Sequence, residues 1–315
     1  MQPAPLHALV ADAPPGGRAV WRRTSDGVRL RMAWWPGGPN GRVMVFPGRT
    51  EVIEKYGRVV ADLVSRGYGA FLIDWRGQGL SDRMAADPLL GHVDDFGQFQ
   101  TDVAAWRDCI AELTDGAGAD FVLAHSMGGC IALRALVSGL PARAVAFSAP
   151  LWGVPLRGAL RRGVGLLTAA GRLAGLDERP VPGAGIEFRL WENPFDNNEL
   201  TTDAETYAWM QGQVLAHPAL RLGAPSIRWL GAVLSETAAL SRLPAPPMPA
   251  LCGLGTRERV VDPAAIRARM ADWPGGRLMT FPGAEHELLM ERPETRDAFL
   301  AGVFDLFGTA GRMPG

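Results

Sequence analysis

Six short apolar runs, each closed by Gly, Pro, Asp or Ser, recur along this chain of 315 residues and constrain its fold more than any other feature. Val43-Met44-Val45-Phe46 stops at Pro47-Gly48, Gly69-Ala70-Phe71-Leu72-Ile73 at Asp74, and Phe121-Val122-Leu123-Ala124 at His125-Ser126. Ala144-Val145-Ala146-Phe147 stops at Ser148, Ala250-Leu251-Cys252-Gly253-Leu254 at Gly255, and Leu278-Met279-Thr280-Phe281 at Pro282-Gly283. A strand that is apolar at every position must be covered on both sides, so these runs predict a mostly parallel sheet with helices on each face. Apolar residues at helical spacing over 52–66, 94–113, 127–138, 263–271 and 293–307 supply the covering layers. Two earlier segments, 19–24 and 28–35, alternate in polarity around Ser25-Asp26-Gly27, which predicts an antiparallel hairpin at one edge.

The rhythm breaks once. Between about Leu151 and Pro247 no buried-strand signal occurs; Arg- and Leu-rich helical patterns and the polar loop Asn193-Pro194-Phe195-Asp196-Asn197-Asn198 take its place. The expected organisation is therefore an α/β core from 1–150 and 248–315, with a helical cap, 151–247, inserted after the sixth strand. The first part of that insertion, 156–176, carries Arg157, Arg161, Arg162 and Arg172 with no acid, beside Leu160, Val164 and Leu167 at helical spacing. Such a helix suits an anionic membrane surface or a phosphorylated head group, or simply packs one face and solvates the other.

Charge and cysteine content narrow the function classes. With 32 basic and 33 acidic residues the net charge is −1, which provides no field for holding nucleic acid. Lys55 is the single lysine, so arginine supplies every other basic residue, a bias that reads as coding composition. Cys109, Cys130 and Cys252 lie in apolar stretches and cannot all pair, which fits free core thiols in a reducing compartment. The N-terminal residues carry Pro and acid where a signal peptide needs a basic start and an apolar run, and no stretch of about 18 apolar residues follows. The expected address is the cytoplasm, with peripheral contact at the inner membrane face through the cap.

Ala124-His125-Ser126-Met127-Gly128-Gly129 stands where a buried strand gives way to a helix. There a small-x-Ser-x-Gly run forces the serine into a strained turn that lifts its hydroxyl above the sheet edge, and small residues on either side avoid neighbouring backbone. Ser126 could also be a plain helix cap, so partners decide. Of five histidines, His7 lies in the tail, His125 adjoins the serine and should turn away from it, His92 precedes a helix and His217 precedes Pro218 in the insertion. His286 follows the last strand and shares the sheet edge with Ser126, which makes it the expected general base. The orienting acid is expected between Leu254 and Pro263. Asp262 directly precedes Pro263 and is explained as a helix N-cap, so Glu258 is preferred. Two backbone N–H groups must meet the developing oxyanion: Met127, after the nucleophile, and Arg49, after the Pro47-Gly48 turn.

With these residues in place the chain resembles the α/β-hydrolase superfamily, and within it the monoacylglycerol lipase and bacterial lysophospholipase L2 group of serine aminopeptidase S33-like hydrolases. The resemblance rests on Pro47-Gly48-Arg49-Thr50-Glu51 with Glu54-Lys55-Tyr56, on Asp74-Trp75-Arg76-Gly77-Gln78-Gly79-Leu80-Ser81-Asp82, on His125-Ser126-Met127-Gly128-Gly129, and on Gly283-Ala284-Glu285-His286-Glu287-Leu288-Leu289-Met290-Glu291. Glu199-Leu200-Thr201-Thr202-Asp203 and Leu222-Gly223-Ala224-Pro225 look like the cap of the lysophospholipase branch. The resemblance implies Ser126 as nucleophile, His286 as base, and Arg49 and Met127 as oxyanion donors. Three positions depart from the group's pattern: Pro47 replaces a histidine before the oxyanion glycine, Ala124 replaces the first elbow glycine, and Glu258 stands where aspartate is usual.

The function expected is hydrolysis of carboxylic esters of single-chain acyl lipids, a lysophospholipid or monoacylglycerol, through an acyl-enzyme and without metal or organic cofactor. An esterase or aminopeptidase for small substrates uses the same triad, and a non-catalytic ligand-binding homologue keeps the same fold. A dehalogenase or epoxide hydrolase is disfavoured because its elbow would carry aspartate, where this chain has Ser126.

Overall fold

A computed structural model of the chain describes residues 1–156, 158–184 and 189–312. The six apolar runs form β4 (Arg42–Phe46), β5 (Gly69–Asp74), β6 (Phe121–His125), β7 (Ala144–Ser148), β8 (Ala250–Gly255) and β9 (Gly276–Phe281), all paired in parallel. The hairpin is β2 (Arg18–Arg23) with β3 (Arg29–Trp35), and β3 joins the sheet antiparallel to β5. A two-residue strand absent from the sequence reading, β1 (Gln2–Pro3), pairs with β2 and forms the actual edge. The sheet order is β1-β2-β3-β5-β4-β6-β7-β8-β9.

Each central strand feeds two cores because alternate side chains leave opposite faces. Met44 and Phe46 enter one apolar cluster with Phe71, Trp75, Trp106 and Ile131, while Val43 and Val45 enter a second with Val59, Leu63, Phe299 and Phe307. α3 (Gln98–Leu113) and α4 (Ser126–Val137) cover the first face; α2 (Gly57–Ser65) and α9 (Pro293–Gly311) cover the second. This two-sided burial is why the strands read as unbroken apolar runs. A four-residue helix, α1 (Ala8–Ala11), follows β1.

Three helices begin or end differently from their apolar patterns. The 94–113 pattern yields a helix only from Gln98, because the Asp95 carboxylate accepts the Gly97 N–H at 2.7 Å and holds a turn first. The 52–66 pattern opens as a 3₁₀ turn, Ile53–Tyr56, before α2, and the 293–307 pattern runs on to Gly311.

Between β7 and β8 the described residues contain α5 (Gly158–Leu173), α6 (Ala204–Ala216) and α7 (Ile227–Leu240). α6 is capped by Asp203, which accepts from Glu205 and Thr206, and α7 by Ser226, which accepts from Trp229. Arg157 lies outside the described residues, as do the side chains of Leu160, Arg161, Arg162, Leu167 and Arg172. The remaining helix, α8 (Pro263–Ala271), joins β8 to β9. From β4 the chain crosses to β5 on one side and then to β6 on the other, so a crevice opens at the carboxyl ends of β4 and β6.

Candidate active site

Ser126 opens α4 directly after β6 with φ at +48°, a left-handed conformation that a side-chain-bearing residue adopts only under constraint. The constraint is local: a Cβ at Gly128 would be driven into the carbonyl oxygens of Phe46 and Pro47, so the helix can start this close to β4 only with glycine there. Ala124 fits its methyl into the first apolar cluster with no exposure, so the departure from glycine at that position is accommodated. Met127 occupies the first turn of α4, where backbone N–H groups lack helical acceptors and the helix dipole favours negative charge.

His286 Nε2 lies 2.9 Å from Ser126 Oγ, and His286 Nδ1 lies 2.7 Å from Glu258 Oε2. All three residues are buried. The other carboxylate oxygen of Glu258 accepts the N–H groups of Val260 at 2.7 Å and Val261 at 3.0 Å. Those bonds curl the loop around the acid and take up the reach of its extra methylene. Burial alone would raise the pKa of Glu258, but the charge and hydrogen bond of His286 and the two loop amides outweigh it and hold the carboxyl below its ordinary range. Asp262 is engaged elsewhere as the cap of α8, accepting from Ala264 at 2.9 Å.

The loop after β4 is fixed from several sides. Trp75 Nε1 donates to the Pro47 carbonyl at 2.9 Å, and Gln78 Nε2 donates to the carbonyls of Gly48 at 2.8 Å and Glu51 at 3.2 Å. A trans peptide sets C=O and N–H on opposite sides, so holding the Gly48 carbonyl on Gln78 turns the Arg49 N–H the other way. Gly48 itself abuts Ser126: a Cβ there would stand 3.1 Å from Ser126 Cβ. The Arg49 guanidinium reaches into the insertion, donating to the Gly223 carbonyl and lying 5.3 Å from the centroid of the Trp229 ring.

The insertion also holds the histidine loop. Glu287 N–H donates to the Leu200 carbonyl at 2.7 Å, and Thr201 Oγ1 donates to the Met290 carbonyl at 2.8 Å. The Glu291 carboxylate accepts from Glu285 N at 2.8 Å and from the Thr202 hydroxyl at 2.5 Å.

The other histidines are engaged apart from Ser126. His7 stacks on His217 with centroids 3.6 Å apart, and His92 Nδ1 meets Ser226 Oγ at 2.9 Å. His125 donates through Nδ1 to the Ser148 carbonyl at 2.9 Å, and its ring lies under that of His286, centroids 4.7 Å apart.

A group of charges beneath the site escaped the sequence reading. Glu51, Lys55, Tyr56, His125 and Glu287 are all buried. The Lys55 ammonium bridges the Glu51 and Glu287 carboxylates, the latter at 2.5 Å, and Tyr56 donates its hydroxyl to Glu51 at 2.5 Å. The available signal was the lone lysine itself.

The family described as serine aminopeptidase, S33, matches residues 37–293. The chain is similar to lysophospholipase L2 of Escherichia coli (strain K12), with 31% identity over 297 residues, 90% of this chain and 85% of that protein. It is also similar to the probable lysophospholipase L2 of Haemophilus influenzae, 30% identical over 263 residues, 83% of this chain and 82% of that one. Among solved structures, a soluble variant of monoglyceride lipase from Saccharomyces cerevisiae in complex with a substrate analogue aligns with a TM-score of 0.69 at 17% identity, over 93% of this chain and 96% of that one. That likeness is one of fold.

Proposed function

The chain belongs to the serine aminopeptidase S33 family, and on that footing we propose that Ser126, His286 and Glu258 form the triad with which it cleaves its substrate. It is a serine ester hydrolase acting on a lysophospholipid or monoacylglycerol. The observation that carries the residue assignment is the unbroken hydrogen-bonded chain from Ser126 Oγ through both ring nitrogens of His286 to Glu258. Ser126 attacks the ester carbonyl while His286 Nε2 takes its proton, and Glu258 stabilises the resulting imidazolium. The Met127 and Arg49 N–H groups meet the tetrahedral oxyanion. His286 then protonates the departing alcohol and activates water against the acyl-enzyme.

Segment 151–247 is the cap in this reading. Beside Arg49 and Met127 the cavity bounded by His92, Phe99, Leu222 and Trp229 measures about 10 Å³. That is room for roughly one water, so an acyl chain enters when the cap elements carrying Leu222 and Trp229 shift outward. Leu166 and Leu173 on α5 are 73% and 91% exposed and give that motion a lipid surface to rest on. Among the described residues no helix is long and apolar enough to cross a membrane. The buried free thiols Cys109, Cys130 and Cys252 suit the cytoplasm, with contact at the inner membrane face.

A fluorescent fluorophosphonate tests the nucleophile. The parent should label and Ser126→Ala should not, with hydrolysis of long-chain lysophospholipid lost in the same variant. An unlabelled, folded parent would leave a binding protein in its place, and turnover confined to short esters would move the substrate to small molecules. Glu258→Gln should lower kcat about 10⁴-fold, the size expected when the histidine loses its orienting charge, whereas Asp262→Ala should cost only cap stability of about 0.5–2 kcal/mol. Equal losses of activity from the two would reassign the acid.

A further inference from the structure

Beneath the triad, Glu51, His125 and Glu287 present ligand atoms within 4.8 Å of one another, the donor set of a divalent-metal site. Here the cation is part of the chain. The Lys55 ammonium hydrogen-bonds to both carboxylates, and burial, which opposes its charge, is outweighed by Glu287 and Glu51 so that its pKa rises. His125 Nε2 approaches Glu287 at 3.2 Å and Glu51 at 3.5 Å, and the two carboxylates raise its pKa against the effect of burial.

The two carboxylates belong to the two loops that matter for chemistry. Glu51 lies two residues after Arg49, and its carboxylate accepts the Gly48 N–H, so it fixes the peptide that leads into the Arg49 donor. Glu287 directly follows His286. Lys55 thus links loops 232 positions apart in sequence, one carrying an oxyanion donor and the other the general base. We propose that Lys55 is a positioning residue: its ammonium, clamped between Glu51 and Glu287, sets the oxyanion loop and the histidine loop at the spacing the tetrahedral intermediate requires.

The composition of the chain makes the choice of residue informative. Arginine provides every other basic side chain, including buried ones such as Arg31 and Arg76, yet lysine is kept at this position. A compact ammonium fits between two carboxylates that a planar guanidinium fork would push apart. A clamp that only neutralised buried charge would tolerate wider spacing. One that sets donor and base within a few tenths of an ångström would not.

The inference rests on the nucleophile and base assigned above, and its test reads both. Lys55→Met leaves two buried carboxylates facing each other, so the Lys55→Met/Glu287→Gln double variant, which balances the charge, is made beside it. The double variant should fold and keep KM for a water-soluble short-chain ester within about threefold, because no contact to substrate is removed. Its kcat and its rate of fluorophosphonate labelling at Ser126 should fall together by about 10²–10³-fold, the size of losing one oxyanion donor. A double variant that turns over within about threefold of the parent, or that no longer folds cooperatively, would overturn the proposal and leave Lys55 a buried counter-charge. Absence of labelling in the parent would overturn the nucleophile assignment and this inference with it, whereas equal labelling of parent and double variant would overturn this inference alone.

Discussion

Glu54 and Lys55 are neighbours in sequence, yet they enter two different buried charge clusters. Glu54 meets Arg31 through two parallel bonds, 2.7 and 2.6 Å, and Arg31 Nε reaches Asp74 at 2.7 Å, all three side chains having no exposure. Asp74 in turn accepts the N–H groups of Ile53 at 3.0 Å and Leu80 at 2.7 Å. Every partner in that set belongs to the frame: strand β3, the end of β5, and the turns that follow β4 and β5. Lys55 faces the other way, toward Glu51 and Glu287, which neighbour the proposed oxyanion donor Arg49 and the proposed base His286. The first cluster uses a planar fork, which fixes orientation; the second uses a point charge, which fixes a distance. Burial of ions is therefore doing two jobs in adjacent residues, and substitutions can separate them.

The largest separation should come from removing the cation of the frame. Arg31→Met leaves the buried Glu54 and Asp74 carboxylates without their cation and should cost about 3–5 kcal/mol of stability. Turnover per folded molecule, counted by titration of Ser126, should stay within about threefold of the parent. Lys55→Met/Glu287→Gln should show the opposite pattern, with stability largely kept and kcat lost. Arg31→Lys keeps the charge but cannot reproduce the fork, so one carboxylate oxygen goes unpaired at a cost of about 1–3 kcal/mol. Urea denaturation and active-site titration on the same samples check these values. A large drop in kcat for Arg31→Met would show that the frame and the site are one network.

What the sequence made legible follows from the range of each signal. The strands were readable because an apolar run is a local statement about burial on two faces. Ser126 was readable because the crowding at Gly128 is imposed within two residues. That His286 and Glu258 lie within reach of Ser126 required only the position of a strand end, plus the capping role of Asp262 to set it aside. The two-residue strand β1 carries too few residues to show any period. The late start of α3 depends on one carboxylate, that of Asp95, competing for a backbone N–H. The cluster around Lys55 was illegible for a different reason. Its members lie on the β4 loop, at the end of β6 and beyond β9, and no local pattern tells a buried glutamate from a solvated one. Even so, Glu51, Lys55, Tyr56, His125 and Glu287 all fell inside the segments that carried the family resemblance, so the motif was visible before its function in the fold was.

The smallest effect distinguishes the clusters by pH. Burial opposes the charge of Glu287, but Lys55 and His125 more than offset it, so its native pKa lies well below the ordinary 4.5. Its contribution to stability is therefore complete above the ordinary value and disappears as pH falls through the native one. His125 carries the reverse sign. Burial lowers its pKa but the Glu287 and Glu51 carboxylates outweigh this and raise it, so its contribution is complete below the ordinary 6.5 and is lost as pH rises through the native value. Glu287→Gln removes the first contribution and the larger carboxylate share of the second, leaving Glu51 beside His125. The stability gap between parent and variant should be widest at about pH 5–6, where both apply, and should narrow on the acid side below the ordinary 4.5 and again on the alkaline side above the ordinary 6.5. Arg31 does not titrate in this range and Arg31→Lys keeps a charge beside Glu54 and Asp74, so its gap should change less with pH than that of Glu287→Gln. Denaturation curves from about pH 3 to 9 separate the two shapes. A gap for Glu287→Gln that stayed level on the alkaline side would mean that His125 is neutral and that Lys55 alone neutralises the two carboxylates.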